Sequence, residues 1–235
     1  MVYISRHYYS LDSLQYTKPM TEAFNIDCME AMAQMKDNEF DLAIVDPPYN
    51  ETFNTGGCIH NKAKKGIYNT NSLNNHLPGD KYWDELIRVS DNQIIWGANW
   101  YGKYFGAGGI CWFKDNTGNY SPCEFAYQSI NNHINHFQYR WNGMLQENMK
   151  DKEIRLHPTQ KPIALYKWLL KNYAKEGDRI LDTHLGSGSS RIAAYDMGFD
   201  FVGYEIDKDY FDAQEKRFAN HIKQQCLFNP KDMYQ

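Results

Sequence analysis

Cysteine is scarce and poorly spaced for cross-linking: Cys28, Cys58, Cys111, Cys123 and Cys226 are odd in number and form no C-x-x-C or C-x-x-x-x-C pair. That argues against a disulfide framework and a structural zinc site, and predicts a reduced, intracellular protein. Cys58 with His60, and His133 with His136, bring too few ligands together, so no metal is expected. No apolar run is long enough to cross a bilayer, and the opening stretch MVYISRHYYSLDSLQYTKP lacks the apolar centre of a signal peptide; a soluble protein without a membrane partner is expected. A Gly-Lys-Ser phosphate loop is missing, and Arg191 stands where a dinucleotide loop carries its third glycine, so neither ATP nor NAD is favoured. Positive charge is not in excess either. The net charge of -4 does not by itself point to a polyanion, which needs a locally positive surface rather than a positive total.

What the chain has is aromatic residues, 15% of the total, and alternating short apolar runs and amphipathic stretches. Its 235 residues fit a single domain, 1–235. AFNIDCMEAMAQM reads as a strand, an acid and a helix beginning after Asp27, with Met29, Met32 and Met35 at helical spacing. FDLAIV, at 40–45, is a buried parallel strand closed by Asp46 and two prolines. KYWDELIRV is helical; NQIIWGANW and GGICWFKD are strands; CEFAYQS and INHFQYRW are strands that a turn at Asn131 and Asn132 joins as a hairpin. ALYKWLLKNY is an amphipathic helix, RILD and FVGYE are strands, SSRIAAYDM is a helix stopped by Gly198, and 210–224 is a last helix. Two stretches, 50–79 and 142–155, show little periodicity and read as irregular insertions. The pattern predicts an α/β fold with a mostly parallel sheet and helices on both faces.

Two motifs carry chemistry. LDTHLGSGSS lies between a strand and a helix, where Gly186 and Gly188 let backbone approach a ligand and the exposed amides of the helix start face it. Glu205 ends the next strand, 17 residues past Gly188, close to the spacing at which an acid meets ribose hydroxyls. A tight structural turn would need the same glycines. The sharper signal is DPPYN at 46–50: a carboxylate at a strand end, two prolines that fix φ and donate no hydrogen bond, and an aromatic ring. Such a site suits an amino group on a flat ring. Asp46 and the Pro47 carbonyl would accept the two amine protons and expose the nitrogen lone pair to an electrophilic methyl, Pro48 would stiffen the hook, and Tyr49 would stack on the ring. A base amine inside a duplex is out of reach, so the base would be flipped out.

With DPPYN, HPTQKP at 157–162, LDTHLGSGSS and FVGYEID at 201–207 in this order, the chain resembles the beta class of DNA amino-methyltransferases, in which the catalytic motif precedes the cofactor loop. The resemblance implies a permuted seven-stranded, Rossmann-like methyltransferase fold that uses S-adenosylmethionine and releases S-adenosylhomocysteine. It places the strand before Asp46 beside the one before Asp182, and the strand that Asp27 closes beside the Glu205 strand. It implies Asp46, Pro47, Pro48 and Tyr49 as catalytic, with Asp46 bordering the cofactor too. Asp27 would meet the adenosyl group, Glu205 the ribose, and Asp182 with Gly186, Ser187, Gly188 and Ser189 the methionine portion. His157, Thr159 and Lys161 would line the cleft. Where the family has Pro-Phe, this chain has Thr183 and His184, and His184 would fill the phenylalanine's place. DPPY rather than SPPY favours adenine N6 over cytosine N4.

The implied partner is double-stranded DNA, in a bacterial or phage-encoded cytoplasmic protein, with a homodimer expected. Its contacts would come from the insertions, through Asn61, Lys62, Lys64 and Lys65 in the first and Lys150, Lys152 and Arg155 in the second, with Arg140 and Trp141 before it. Cys123 after Pro122 is read as structural, since transfer to an amine needs no covalent enzyme intermediate. Other readings are a non-catalytic partner subunit of the same fold and an RNA or small-molecule methyltransferase.

Overall fold

The computed structural model describes residues 18–48, 77–101, 105–116, 121–142 and 145–226. Its elements are β1 (Thr21–Phe24), α1 (Cys28–Met32), β2 (Phe40–Val45), α2 (Asp80–Val89), β3 (Ser90–Trp96), β4 (Gly109–Phe113), β5 (Cys123–Gln128), β6 (Ile134–Gln138), β7 (Trp141–Asn142), β8 (Leu145–Gln146), α3 (Ile163–Tyr173), β9 (Arg179–Asp182), α4 (Ser189–Met197), β10 (Asp200–Tyr204) and α5 (Lys208–Cys226). Eight strands form one sheet in the order β1-β10-β9-β2-β3-β5-β4-β6, in which β5 alone runs against the rest. The α/β, mostly parallel prediction holds, as do the two implied adjacencies, β2 beside β9 and β1 beside β10. The sheet has one strand more than the seven implied, with β6 at its edge.

Strand alternation divides the buried side chains between two layers. Leu42 and Ile44, Ile94 and Trp96, Ile180 and Phe201 face one core with Leu165, Leu169 and Leu170 of α3 and Ala193 and Ala194 of α4. Ala43 and Val45, Ile95, Leu181 and Val202 face the other, with Met32 of α1 and Tyr82, Trp83 and Leu86 of α2. The central strands are therefore apolar on both faces, which is why β2 reads as an unbroken apolar run. Helix ends are fixed locally: Asp27 Oδ1 accepts from the Met29 amide at the start of α1, and Gly198, at φ +82°, closes α4 in the left-handed conformation.

The expected hairpin between β5 and β6 does not form. β5 pairs with β4, and β6 lies on the far side of β4, parallel to it. The buried Gln128 side chain explains the turn: its Nε2 donates to the Asn131 and His133 carbonyls at 2.7 and 3.0 Å, while its Oε1 accepts from the Asn131 amide at 3.0 Å. The chain is thus steered across Gly108, where a Cβ would lie 2.1 Å from the Asn131 carbonyl oxygen. The described residues of the second insertion, 142 and 145–155, are also more ordered than expected. They begin as the small β7–β8 pair, and Gln146 exchanges hydrogen bonds with the Glu153 backbone at 2.8 Å in both directions. Of the first insertion, residues 50–76 lie outside the described residues.

Leu169 is fully buried between α3 and the sheet. Leu169→Ala is expected to cost about 2–5 kcal/mol of folding stability, read as a lower urea midpoint with an unchanged slope.

Candidate functional site

Five parallel strands deliver their carboxyl ends to one edge of the sheet, the edge at which open α/β sheets bind ligands. Asp27 follows β1, Glu205 follows β10, Asp182 ends β9, Asp46 follows β2, and Trp96 ends β3. Residues up to 178 apart in the chain, Asp27 and Glu205, are thereby brought to a common edge.

The loop from β9 to α4 is built around two glycines with positive φ, Gly186 at +52° and Gly188 at +73°. Gly188 is favoured by its left-handed backbone, and a Cβ there would also lie tightly, 3.1 Å from the Gln214 side chain. Glu205 holds the loop: its Oε2 accepts from the Gly186 amide at 2.8 Å and its Oε1 from the Asp207 amide at 2.9 Å. Each oxygen retains acceptor capacity beyond these bonds. Asp182 is buried, with Oδ1 accepting from the His184 amide and Oδ2 from the Ser190 hydroxyl, and burial pushes its carboxyl up to about 7. The Ser187 carbonyl and Ser189 hydroxyl accept from Arg217 of α5, which also pairs with Glu153 at 2.7 Å. Ser187 and Ser189 side chains therefore sit within the loop's own network, 3.2 Å from each other.

Asp46 sits in a chain of charges that is buried at Lys161 and half-buried at Asp46, Glu124 and Lys114. Lys161 Nζ donates to Asp46 Oδ2 at 2.5 Å and lies 3.2 Å from Glu124 Oε2, while Lys114 pairs with Glu124 Oε1. The Lys161 side chain is 2% exposed. Burial alone would push its ammonium down, but the Asp46 and Glu124 carboxylates outweigh that and hold it above the ordinary lysine value. Burial pushes the Asp46 carboxyl up despite Lys161, whereas at Glu124 the two lysines outweigh burial and hold the carboxyl at about 2. Asp46 Oδ1 is buried without a hydrogen-bond partner among the described residues. The adjacent prolines are fixed by Tyr101, whose hydroxyl donates to the Pro48 carbonyl at 2.6 Å and lies 3.2 Å from the Pro47 carbonyl. Tyr49, implied to stack on a base, lies outside the described residues.

A protein-family model described as DNA methylase matches residues 59–216, more than half of the chain. The chain belongs to the DNA methylase family. Among curated relatives, it is 23% identical to the type II methyltransferase M2.DpnII of Streptococcus pneumoniae, over 86% of this chain and 91% of that one. It is 26% identical to the type II methyltransferase M2.MboI of Moraxella bovis, over 83% and 87%. Among solved structures it is similar to the M1.HpyAVI-SAM complex, with a TM-score of 0.55 and 19% identity over 84% of this chain and all of that one. It is also similar to PvuII DNA methyltransferase (cytosine-N4-specific), with a TM-score of 0.56 and 12% identity over 85% and 87%. These neighbours agree with the methyltransferase fold.

Within the family frame, the Thr183-His184 departure is accommodated by packing and a polar chain. The His184 ring meets Tyr82 edge-on, with centroids 5.4 Å apart, and its Nδ1 lies 2.9 Å from the Thr183 hydroxyl, itself 2.7 Å from the Tyr82 hydroxyl. His157 packs edge-on against Tyr210 at 4.3 Å, beside Gly186, and its Nδ1 accepts from the Thr159 amide at 3.3 Å. Burial pushes both imidazoles down to about 4, so each is neutral near pH 7. Thr159 itself is exposed. Of the expected DNA-contacting residues, Lys150 and Lys152 are exposed, Arg140 is paired with Asp115, and Arg155 donates to the Pro158 carbonyl. Asn61, Lys62, Lys64 and Lys65 lie outside the described residues.

Tyr101, Glu124, Lys114 and Arg217 were not singled out from the sequence. Glu124 left a signal there: it occupies the same strand face as Ala126 and Gln128, so an acid stands at a core-facing position of CEFAYQS. Tyr101 and Arg217 left none, because their partners lie in segments remote in the chain: proline carbonyls for Tyr101, and the Ser187 carbonyl, Ser189 hydroxyl and Glu153 carboxylate for Arg217.

His184 sits at about 4 when folded against an ordinary 6.5, so its contribution to stability is full above pH 6.5 and is lost as pH falls toward 4. Asp182, raised to about 7, acts in the opposite direction over the same range. The clean readout is a difference: relative to wild type, His184→Phe is expected to gain stability progressively as pH falls from about 6.5 to 4, by urea unfolding at each pH.

Proposed function

We propose that this protein transfers a methyl group from S-adenosylmethionine to the exocyclic N6 of an adenine flipped out of double-stranded DNA. The observation that carries the reading is the buried Asp46 Oδ1, without a partner among the described residues, beside a proline carbonyl and at the same sheet edge as the glycine loop. A buried carboxylate oxygen with unused acceptor capacity is costly unless a ligand donor meets it. An amine fits, with one proton on Asp46 Oδ1 and the other on the Pro47 carbonyl, while Tyr101 stays on Pro48 and keeps the hook in place.

The residues at the edge also suit the cofactor. Gly186 and Gly188 leave the loop without side chains at its two left-handed positions, and Glu205 retains acceptor capacity for ribose hydroxyls. Lys161 meets Asp46, His157 lies beside Gly186, and Asp27 follows the strand next to that of Glu205. Held by the Gly186 to Gly188 loop and Glu205, the cofactor would supply an electrophilic sulfonium methyl with a neutral thioether as leaving group. Asp46 and Pro47 orient the amine lone pair for that displacement, and the surplus amine proton leaves along the hydrogen bond to Asp46 Oδ1.

An aspartate opening the motif supports adenine. Cytosine N4 presents the same kind of amine, and the similarity to a cytosine-N4-specific enzyme keeps it as the second reading. We take 1–235 as one methyltransferase domain whose insertions contact DNA, with exposed Lys150 and Lys152 as candidate phosphate partners, and expect a homodimer.

Purified protein incubated with unmethylated DNA and S-adenosylmethionine is expected to yield N6-methyladenine by nucleoside mass spectrometry, and Asp46→Ala to abolish it with cofactor affinity largely kept. N4-methylcytosine would transfer the assignment to the second reading, and methylation surviving in Asp46→Ala would overturn the catalytic role. Glu205→Ala should weaken cofactor binding by about tenfold or more, as two amide contacts and the ribose acceptors go together; an unchanged calorimetric dissociation constant would refute its role.

A further inference from the structure

Lys161 is surrounded by more charge than an ion pair with Asp46 requires. Two carboxylates, Asp46 and Glu124, share its ammonium, and Lys114 occupies the other oxygen of Glu124. The four formal charges of Asp46, Lys161, Glu124 and Lys114 balance one another, which offsets the cost of withdrawing Lys161 from water. It spans four separate segments: the end of β2, the lead into α3, β5, and the end of β4. Trp96 and Trp112 wall it, with Lys161 Nζ 5.4 Å from the first ring centroid and Lys114 Nζ 4.9 Å from the second.

We propose that Glu124 is a positioning residue for methyl transfer: by sharing the Lys161 ammonium with Asp46, it confines Lys161 to Oδ2 and leaves Oδ1 to accept from the base amine. The proposal rests on the methyltransferase reading above. Without Glu124, Asp46 would carry a larger share of the compensation of the ammonium. The carboxylate would be drawn toward Lys161 and lose acceptor strength at Oδ1. Without Lys114, Glu124 would compete harder for Lys161, and Asp46 would become the stronger acceptor. Among the described residues, the other ionisable groups that act on Asp46 or its partners include the Tyr101 hydroxyl beside the prolines, Tyr166 of α3, Asp182 of β9 and the His157 imidazole. They stand unchanged in both variants, so each substitution changes one charge of the chain.

The opposite signs make the test specific. In cofactor-free protein labelled with carbon-13 at aspartate carboxyls, the Asp46 signal, assigned with Asp46→Asn, is titrated by NMR. Glu124→Gln is expected to lower the Asp46 midpoint and Lys114→Met to raise it, each by about half a pH unit or more. In DNA methylation assays, the acid limb of kcat should move in the same directions. At neutral pH, Glu124→Gln should lose about tenfold in kcat while KM for S-adenosylmethionine stays unchanged. A purely structural loss would lower both variants alike without moving the midpoint in opposite directions. Midpoints that stay put, or move the same way, overturn the proposal. If Glu124→Gln fails to fold, the sign of the Lys114→Met shift decides alone. Wild-type protein that methylates no nucleoside would refute the methyltransferase reading, a result distinct from any titration outcome.

Discussion

A lysine ammonium withdrawn from water is the constraint around which this molecule is arranged. An isolated buried cation costs several kcal/mol, and the penalty is met only by well-placed counter-charges. Lys161 receives them from Asp46 and Glu124, which stand on strands separated in the sheet by β3. The order β2-β3-β5 must therefore be correct for the charge chain to close, and the large side chains of Trp96 and Trp112 must fill the space beside it. In this arrangement Asp46 has one oxygen fixed by Lys161 and one without a hydrogen-bond partner among the described residues, an asymmetry that a solvent-exposed carboxylate would not possess.

The rest of the edge follows from the same sheet. Because β1, β10, β9 and β2 run in parallel, their ends carry acids to one side, and the left-handed glycines after β9 turn the chain into α4 without side chains in the way. Glu205 joins the two halves of that edge by holding the Gly186 amide from the neighbouring strand end. Arg217 links the loop in turn to Glu153, whose other oxygen accepts from the first amide of α3 at 2.9 Å. The second insertion is thus bonded to the glycine loop through one arginine, giving a direct physical connection between a candidate DNA-contacting segment and the candidate cofactor loop.

Much of this was legible in the chain itself. Apolar runs of strand length, Asp27 at a helix start, Gly198 at a helix stop, and the paired motifs around Asp46 and Gly186 are local signals, governed by backbone geometry and side-chain period, and they fall where the structure has them. The β5 to β6 hairpin was a reasonable reading of Asn131 and Asn132, yet strand pairing depends on more than the turn. A buried glutamine and a side-chain-free glycine at 108 let the chain cross to the far side of β4. Residues 145–155 read as irregular because their order comes from Gln146, Glu153 and Arg217, partners without any periodicity.

The sequence by itself determined the element types, the two motifs and the family, since these depend on short-range spacing and on residues whose chemistry is visible one at a time. Only the tertiary structure decided what those residues do with their remaining hydrogen-bonding capacity. That Asp182 spends both oxygens inside its own loop, that Tyr101 fixes the prolines, and that Glu124 divides a buried ammonium with Asp46 are facts about distances between remote segments. Burial makes such contacts strong, and burial is a property of the folded chain rather than of any residue in it.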